Sequence, residues 1–223
     1  MDFVDSEKYQ LLVSADDASF GELYRIYAES MPLREQKPRA VIAKMVGRSD
    51  YKVLLQKKSD VVIGFSILFV PEKETFRLLE YMAVERGFRN SGAGSRLFSR
   101  VLQDSVSPRG ERLPLLLEVD SDREASADRE MRRRRQQFYR RLGCWRVQGL
   151  AYILPLPGEG APPEMDLMMH APADFISIRK AQLRHWLEAI YAGVYDCAPG
   201  DCAPGDPRIA QMMAGVSDPV TLE

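Results

Sequence analysis

The chain has 223 residues, of which 45% are hydrophobic and 28% charged, with a formal net charge of -1. These values place it among soluble globular proteins with one full-sized domain and an appendage, and they give no global electrostatic case for binding nucleic acid or a membrane surface. The N-terminal stretch MDFVDSEKYQ is acidic and lacks the apolar centre of a signal peptide, and no apolar run approaches the roughly 20 residues of a membrane span. Cys144, Cys197 and Cys202 form no scaffold pattern, and His170 and His185 give a metal site little to build on. The expectation is a cytoplasmic protein without a metal.

Residues 9–13 read as a first short strand. Phe20, Leu23, Tyr24 and Tyr27 then recur at helical spacing over Ser19–Ser30, with Ser19 as N-cap and Glu22 completing a capping box. Met31-Pro32 ends that helix, because the residue before proline is pushed out of the α region. After the loop MPLREQKP, Pro38 opens a second helix whose apolar face is Val41, Ile42, Met45 and Val46, and Gly47 closes it. Residues 51–56 and 61–70 read as strands around a tight turn, and Gly64 inside the second marks a bulge or a close backbone approach. Residues 77–84 follow as the next strand, so the short connections predict an antiparallel meander.

A helix then carries Leu97, Phe98, Val101 and Leu102 on one face. The apolar run at residues 113–119 predicts a strand buried on both faces, parallel to residues 77–84 because a crossover helix separates them. A charge-dense helix starts near residues 127–128 and presents Met131, Arg135, Phe138 and Leu142 together, with Gly143 as its stop. Strand-like residues 144–154, the loop PLPGEGAPPE and a short strand at residues 165–169 complete the first domain, residues 1–171. Asp174 is placed to cap a further helix within residues 172–195. Its stripe of Leu183, Trp186, Leu187, Ile190, Tyr191 and Val194 packs on the sheet or forms a homodimer. Residues 196–223 hold Asp-Cys-Ala-Pro-Gly twice in tandem and read as a flexible tail.

The stretch around which this order is organised is LLEYMAV-ERGFRNSGAGS-RLFSRVLQDSV: strand, glycine-bearing loop, helix. Gly92 and Gly94 let backbone approach a ligand closely, and the helix N-terminus points its unpaired N–H groups and positive dipole end back at the loop. That combination suits a phosphate or pyrophosphate. A Rossmann-type turn is the rival reading, with Glu118 or Asp120 as its acidic residue, but Leu97 stands where its third glycine belongs.

Arg89-Asn90-Ser91-Gly92-Ala93-Gly94 fits Arg/Gln-x-x-Gly-x-Gly/Ala, and Phe138-Tyr139-x-x-x-Gly143 follows on a later helix. On both motifs the chain resembles the GCN5-related N-acetyltransferases over about residues 9–170. The resemblance implies an α/β fold with a central, mixed, mostly antiparallel sheet, helices on both faces, a splayed parallel strand pair, and here an appended C-terminal helix. It implies that acetyl-CoA is the cosubstrate. The backbone of Asn90, Ser91, Gly92, Ala93, Gly94 and Ser95 would take its pyrophosphate, Met82, Ala83 and Val84 would pair with its pantetheine arm, and Arg89, then Arg86 and Arg96, would meet its outer phosphates.

It also implies direct attack of a primary amine, small-molecule or peptide, on the acetyl thioester. Such an amine must first lose a proton, for which Glu80 and Glu118 are the candidate bases, with Glu80 preferred. Tyr139 matches the tyrosine that protonates the leaving thiolate. The segment between Glu118 and Tyr139 is longer than usual for the family. In the family the MPLREQKP and PLPGEGAPPE loops would wall the acceptor site, and Glu29, Glu35 and Glu159 are candidates to attract a cationic amine. The basic run Arg132–Arg135 is read as a neutralised helix surface rather than a nucleic-acid site. The alternative to an enzyme is a catalytically silent CoA-binding or interaction module.

Overall fold

The computed structural model describes residues 7–123, 127–155, 164–173, 175, 177–195 and 206–223. Among these, eight strands and six helices form, a mixed α/β arrangement that is mostly antiparallel. The chain divides into two units: Met1–Glu72 with Leu79–Val106, and Lys73–Leu78 with Ser107–Glu223. The expected PLPGEGAPPE loop falls largely on residues 156–163, outside the described residues, as do Asp174 and the tandem repeat at residues 196–205.

In the first unit the strands are β1 (Lys8–Leu12), β2 (Tyr51–Lys58), β3 (Val61–Phe69) and β4 (Arg77–Val84), in that spatial order. The helices are α1 (Ser19–Ser30), α2 (Arg39–Gly47) and α3 (Ala93–Asp104). β1 and β2 pair antiparallel with Leu11 opposite Leu54, and β2 and β3 pair with Leu54 opposite Ser66. Ser59 and Asp60 make the tight turn with φ of 46 and 66, the positive values that a two-residue hairpin requires. β3 is buried from Val62 to Phe69 because helices cover both its faces. Gly64 lies against Leu97 of α3, and the next residue, Phe65, meets Tyr27 of α1 at 6.4 Å between ring centroids. The register of β2 shifts between Gln56 and Lys57, opposite Gly64, so the expected bulge is present.

One local expectation is corrected. Ser19 is the first residue of α1 and not its cap. Ala18 occupies that position, and the carboxylate of Asp17 just before it accepts from Ser19 N–H at 2.8 Å. Glu22 accepts instead from Val62 N–H at 2.8 Å, and the Ser19 hydroxyl accepts from Lys57 Nζ. Tertiary partners have taken the groups that the local pattern assigned to each other.

The second unit contains the first two residues of β4, then β5 (Leu115–Asp120), α4 (Arg129–Arg141), β6 (Cys144–Arg146), β7 (Tyr152–Ile153), β8 (Glu164–His170), α5 (Lys180–Val194) and α6 (Pro207–Met213). Its strand order is β4-β5-β8-β6, with β7 also on β8, and β4–β5 is the one parallel pair. Arg77 N–H donates to Pro114 O at 2.9 Å where that pair begins. The strand expected over residues 144–154 is two short ones separated by Gly149 at φ 74.

The buried face of α4 also differs from expectation. Arg132, Gln136 and Tyr139 face inward, and Met131 is 54% exposed. The inward polar groups are paired: Arg132 with Asp128, and Gln136 with Asp120 O and Asp166. A buried polar face is stable only when its donors are met in this way.

α5 buries the stripe that the sequence marks, with Trp186 against Phe76 at 5.5 Å. Residues 206–223 are not a loose tail. α6 buries Ile209, Met212 and Met213, Val147 bridges to Leu222, and Arg146 pairs with Glu223. The apolar spacing in PRIAQMM is too short to stand out from a tail by periodicity alone.

At Gly64 an added Cβ would lie 3.1 Å from Ala83 O and 2.9 Å from Gln56 Oε1. Gly64→Ala is therefore expected to cost about 1–3 kcal/mol, read as a lower urea midpoint. An unchanged midpoint would mean that β3 and β4 separate there at no cost.

Candidate active site

β4 leads into the glycine loop through Met82 and Val84, both half-buried, and Ala83, which is buried. Glu85 N–H donates to Ile63 O at 2.8 Å, which ties the end of the strand to β3. A 3-10 turn over Arg86–Phe88 follows, and the backbone turns left-handed at Asn90 (φ 61) and again at Gly92 (φ 81). α3 then starts at Ala93 with no side chain capping it. Its first N–H groups face the loop, where the helix dipole favours an anion. A Cβ at Gly92 would come within 2.8 Å of Arg96 Nη1. This uncapped turn leaves the first N–H groups of α3 open to an anionic group.

The arginines around this turn already have partners. Arg89 Nε donates to Val84 O at 2.9 Å and Nη2 to Ser30 Oγ at 3.1 Å, so its guanidinium ties the loop to β4 and α1. Arg96 Nε donates to Glu7 at 2.8 Å and Nη1 to Ser91 O at 3.1 Å. The Arg96 hydrogen bond holds the Glu7 carboxyl below its usual range.

Glu80 lies on β4 two residues before Met82, with its side chain 4% exposed. Its Oε1 accepts from Lys37 Nζ at 2.6 Å and its Oε2 from the Tyr51 hydroxyl at 2.9 Å. The Lys37 ammonium also stands 6.0 Å from the Tyr81 ring centroid. Lys37 comes from the MPLREQKP loop, and core groups hold that loop in place. Lys37 N–H donates to the Tyr27 hydroxyl at 2.7 Å, and Gln36 Nε2 donates to Ala28 O and Met31 O. The Tyr51 phenol is raised above its ordinary range, first by burial and then by the Glu80 charge.

In the second unit, Glu118 on β5 accepts from two phenols. One is Tyr152 of β7, and the other is Tyr195 just past α5, at 2.5 Å to Oε2. The appended helix therefore reaches a candidate base, a link with no signal in sequence spacing. Burial, then the charge of Glu118, pushes the Tyr152 phenol well above its ordinary value. Tyr139 is on the buried face of α4, edge-on to Phe138 at 5.1 Å. Burial pushes its phenol from 10.0 up to about 12, against a lowering by Arg135. Tyr139 is thus a protonated donor at any ordinary pH, as a general acid requires. Cys144 is a buried core residue whose thiol burial pushes up to about 12. Arg132, Arg134 and Arg135 are all ion-paired within their unit. Glu29 pairs with Arg25, and Glu159 lies outside the described residues.

Sequence reasoning did not single out Lys37, Tyr51, Tyr81, Tyr152 or Tyr195. Only Lys37 has a usable local sign, since Pro38 fixes it in an extended conformation at a helix start.

The profile of the acetyltransferase (GNAT) family matches residues 20–144, more than half of the chain. The fold and the match together define the class, and the chain belongs to the GNAT acetyltransferase family. A family acetyltransferase from Bacteroides thetaiotaomicron superposes with a TM-score of 0.68 at 22% identity, over 84% of this chain and 98% of its own. One from Elizabethkingia anophelis, with acetyl-CoA bound, gives 0.52 at 14% identity over 75% and 99%. The ribosomal-protein-S18-alanine N-acetyltransferase of Escherichia coli gives 0.54 at 15% identity over 77% and 99%. At such identities the likeness is one of fold. No curated protein matches the chain in sequence.

A phenol raised in the folded state contributes stability below its unfolded value of 10.0 and loses it as pH rises toward about 12. Wild type is expected to lose about 1 kcal/mol more than Tyr139→Phe between roughly pH 9 and pH 11, measured by urea unfolding. Equal losses would mean that Tyr139 titrates as it does in the unfolded chain.

Proposed function

We propose that this protein moves the acetyl group of acetyl-CoA onto a primary amine by direct attack within a ternary complex. The observation that carries this reading is the left-handed turn at Gly92 feeding an uncapped α3 directly after β4. Acetyl-CoA supplies the activated acetyl thioester. The backbone of Asn90 to Ser95 binds its pyrophosphate, and the edge of Met82, Ala83 and Val84 aligns its arm. Glu80 takes the proton that the acceptor ammonium must lose, because its buried carboxylate already grips an ammonium at 2.6 Å. Tyr139 supplies a proton toward the departing sulfur. The acceptor is a cationic primary amine, small-molecule or peptide.

One observation favours the silent CoA-binding module: both carboxylates are tied to hydrogen-bond donors of the chain itself. A thiol-release assay with acetyl-CoA and a panel of amines separates the two. Turnover is expected with at least one amine, with Glu80→Gln reducing it about 100-fold and Tyr139→Phe by a similar factor. Loss at Glu118→Gln alone would make Glu118 the base. Tight acetyl-CoA binding with no thiol released by any amine would establish the silent module.

A further inference from the structure

The ammonium held by Glu80 belongs to the protein itself. Lys37 Nζ makes a 2.6 Å hydrogen bond to a carboxylate whose side chain is 4% exposed, and Lys37 is itself 21% exposed. Tyr51 fixes the other carboxylate oxygen from behind at 2.9 Å, and the Tyr81 ring lies 6.0 Å from Nζ. A carboxylate and a ring face are groups that recognise a primary ammonium, and the Tyr51 phenol holds that carboxylate in position. The loop that delivers Lys37 is braced by Tyr27 and by the two hydrogen bonds of Gln36, so the lysine is presented rather than loosely tethered.

Position along β4 gives the pair a chemical meaning. Side chains two residues apart on a strand share a face and stand about 7 Å apart. Glu80, Met82 and Val84 therefore form one row running away from the glycine loop. An extended thioester arm anchored at that loop and lying along residues 84 to 82 carries its reactive end toward Glu80. Lys37 is the amine nearest to that carboxylate.

We propose that Lys37 is a self-acetylation site, modified within its own chain. This rests on the proposed function, since it uses the same acetyl donor and the same base. One ammonium proton passes from Nζ to Glu80 and on to solvent. The nitrogen lone pair then forms the bond to the acetyl carbonyl carbon, and the carbon–sulfur bond breaks with its electron pair leaving on sulfur. The second Nζ proton ends on that sulfur, so the products are acetyl-Lys37, free CoA thiol and one released proton. Acetylation removes the Lys37 charge and ends its ion pair with Glu80. The acceptor that replaces Lys37 there is then a primary ammonium from outside the chain.

The test incubates the full chain with acetyl-CoA and no added amine, followed by peptide mass spectrometry and thiol detection. The expected result is one acetyl group on Lys37 and a burst of one thiol per chain, at a rate independent of protein concentration. Glu80→Gln is expected to slow the modification about 100-fold. Lys37→Arg and Lys37→Gln are expected to bind acetyl-CoA as wild type does, by calorimetry, and to give no burst. The proposal is overturned if wild type binds acetyl-CoA yet Lys37 stays unmodified. It is equally overturned if the rate rises with protein concentration, or if acetyl groups scatter over surface lysines at the same rate in Glu80→Gln. Failure to bind acetyl-CoA at all would overturn the proposed function as well as this inference.

Discussion

The turn from β4 into α3 sets what the rest of the first unit can do. It needs positive φ at Asn90 and at Gly92, and at Gly92 it also needs the space that a Cβ would take from Arg96. Asparagine and glycine are the residues that adopt such backbone at low cost. The result is a helix that begins abruptly, with no side chain spent on its first N–H groups. Arg89, anchored on Val84 O and Ser30 Oγ, and Arg96, anchored on Glu7 and Ser91 O, hold the loop in shape from outside.

The two candidate carboxylates are held by different chemistry. Glu80 faces a cation and one phenol, whereas Glu118 faces two phenols. An ammonium partner exchanges readily for another ammonium, because the charge balance of the site is kept. An ammonium brought to Glu118 would compete with the Tyr152 and Tyr195 hydroxyls, which are neutral donors. Glu118 thereby links β5 to β7 and to the end of α5, while Glu80 links β4 to the loop that carries Lys37.

Much of the fold was legible because its signals are local. The apolar run of residues 77–84 marks β4 at its observed bounds, and a glycine inside an apolar strand marks the bulge opposite Gly64. The glycine loop was legible because only a few residue types tolerate its backbone. What was hidden depends on long-range partners. Ser19 and Glu22 look like a capping box, yet each bonds to a distant strand. The inward face of α4 is polar, so hydrophobic spacing pointed to Met131 in place of Arg132 and Gln136. The partners of Glu80 and Glu118 lie 43, 29, 34 and 77 residues away, and no spacing rule reaches that far. α6 is one short helix whose burial depends on β7 and α5, so its sequence alone reads as tail.

The proposed function requires the Gly92 turn to anchor the acetyl donor. That anchoring is tested most directly by calorimetric titration of acetyl-CoA into wild type and Gly92→Val, with urea unfolding as a check that the variant is folded. A β-branched side chain cannot hold the left-handed conformation without strain, and it would also crowd Arg96. The predicted result is a folded variant that binds acetyl-CoA at least about tenfold more weakly. A folded variant with wild-type affinity would mean that the donor is held somewhere other than this turn.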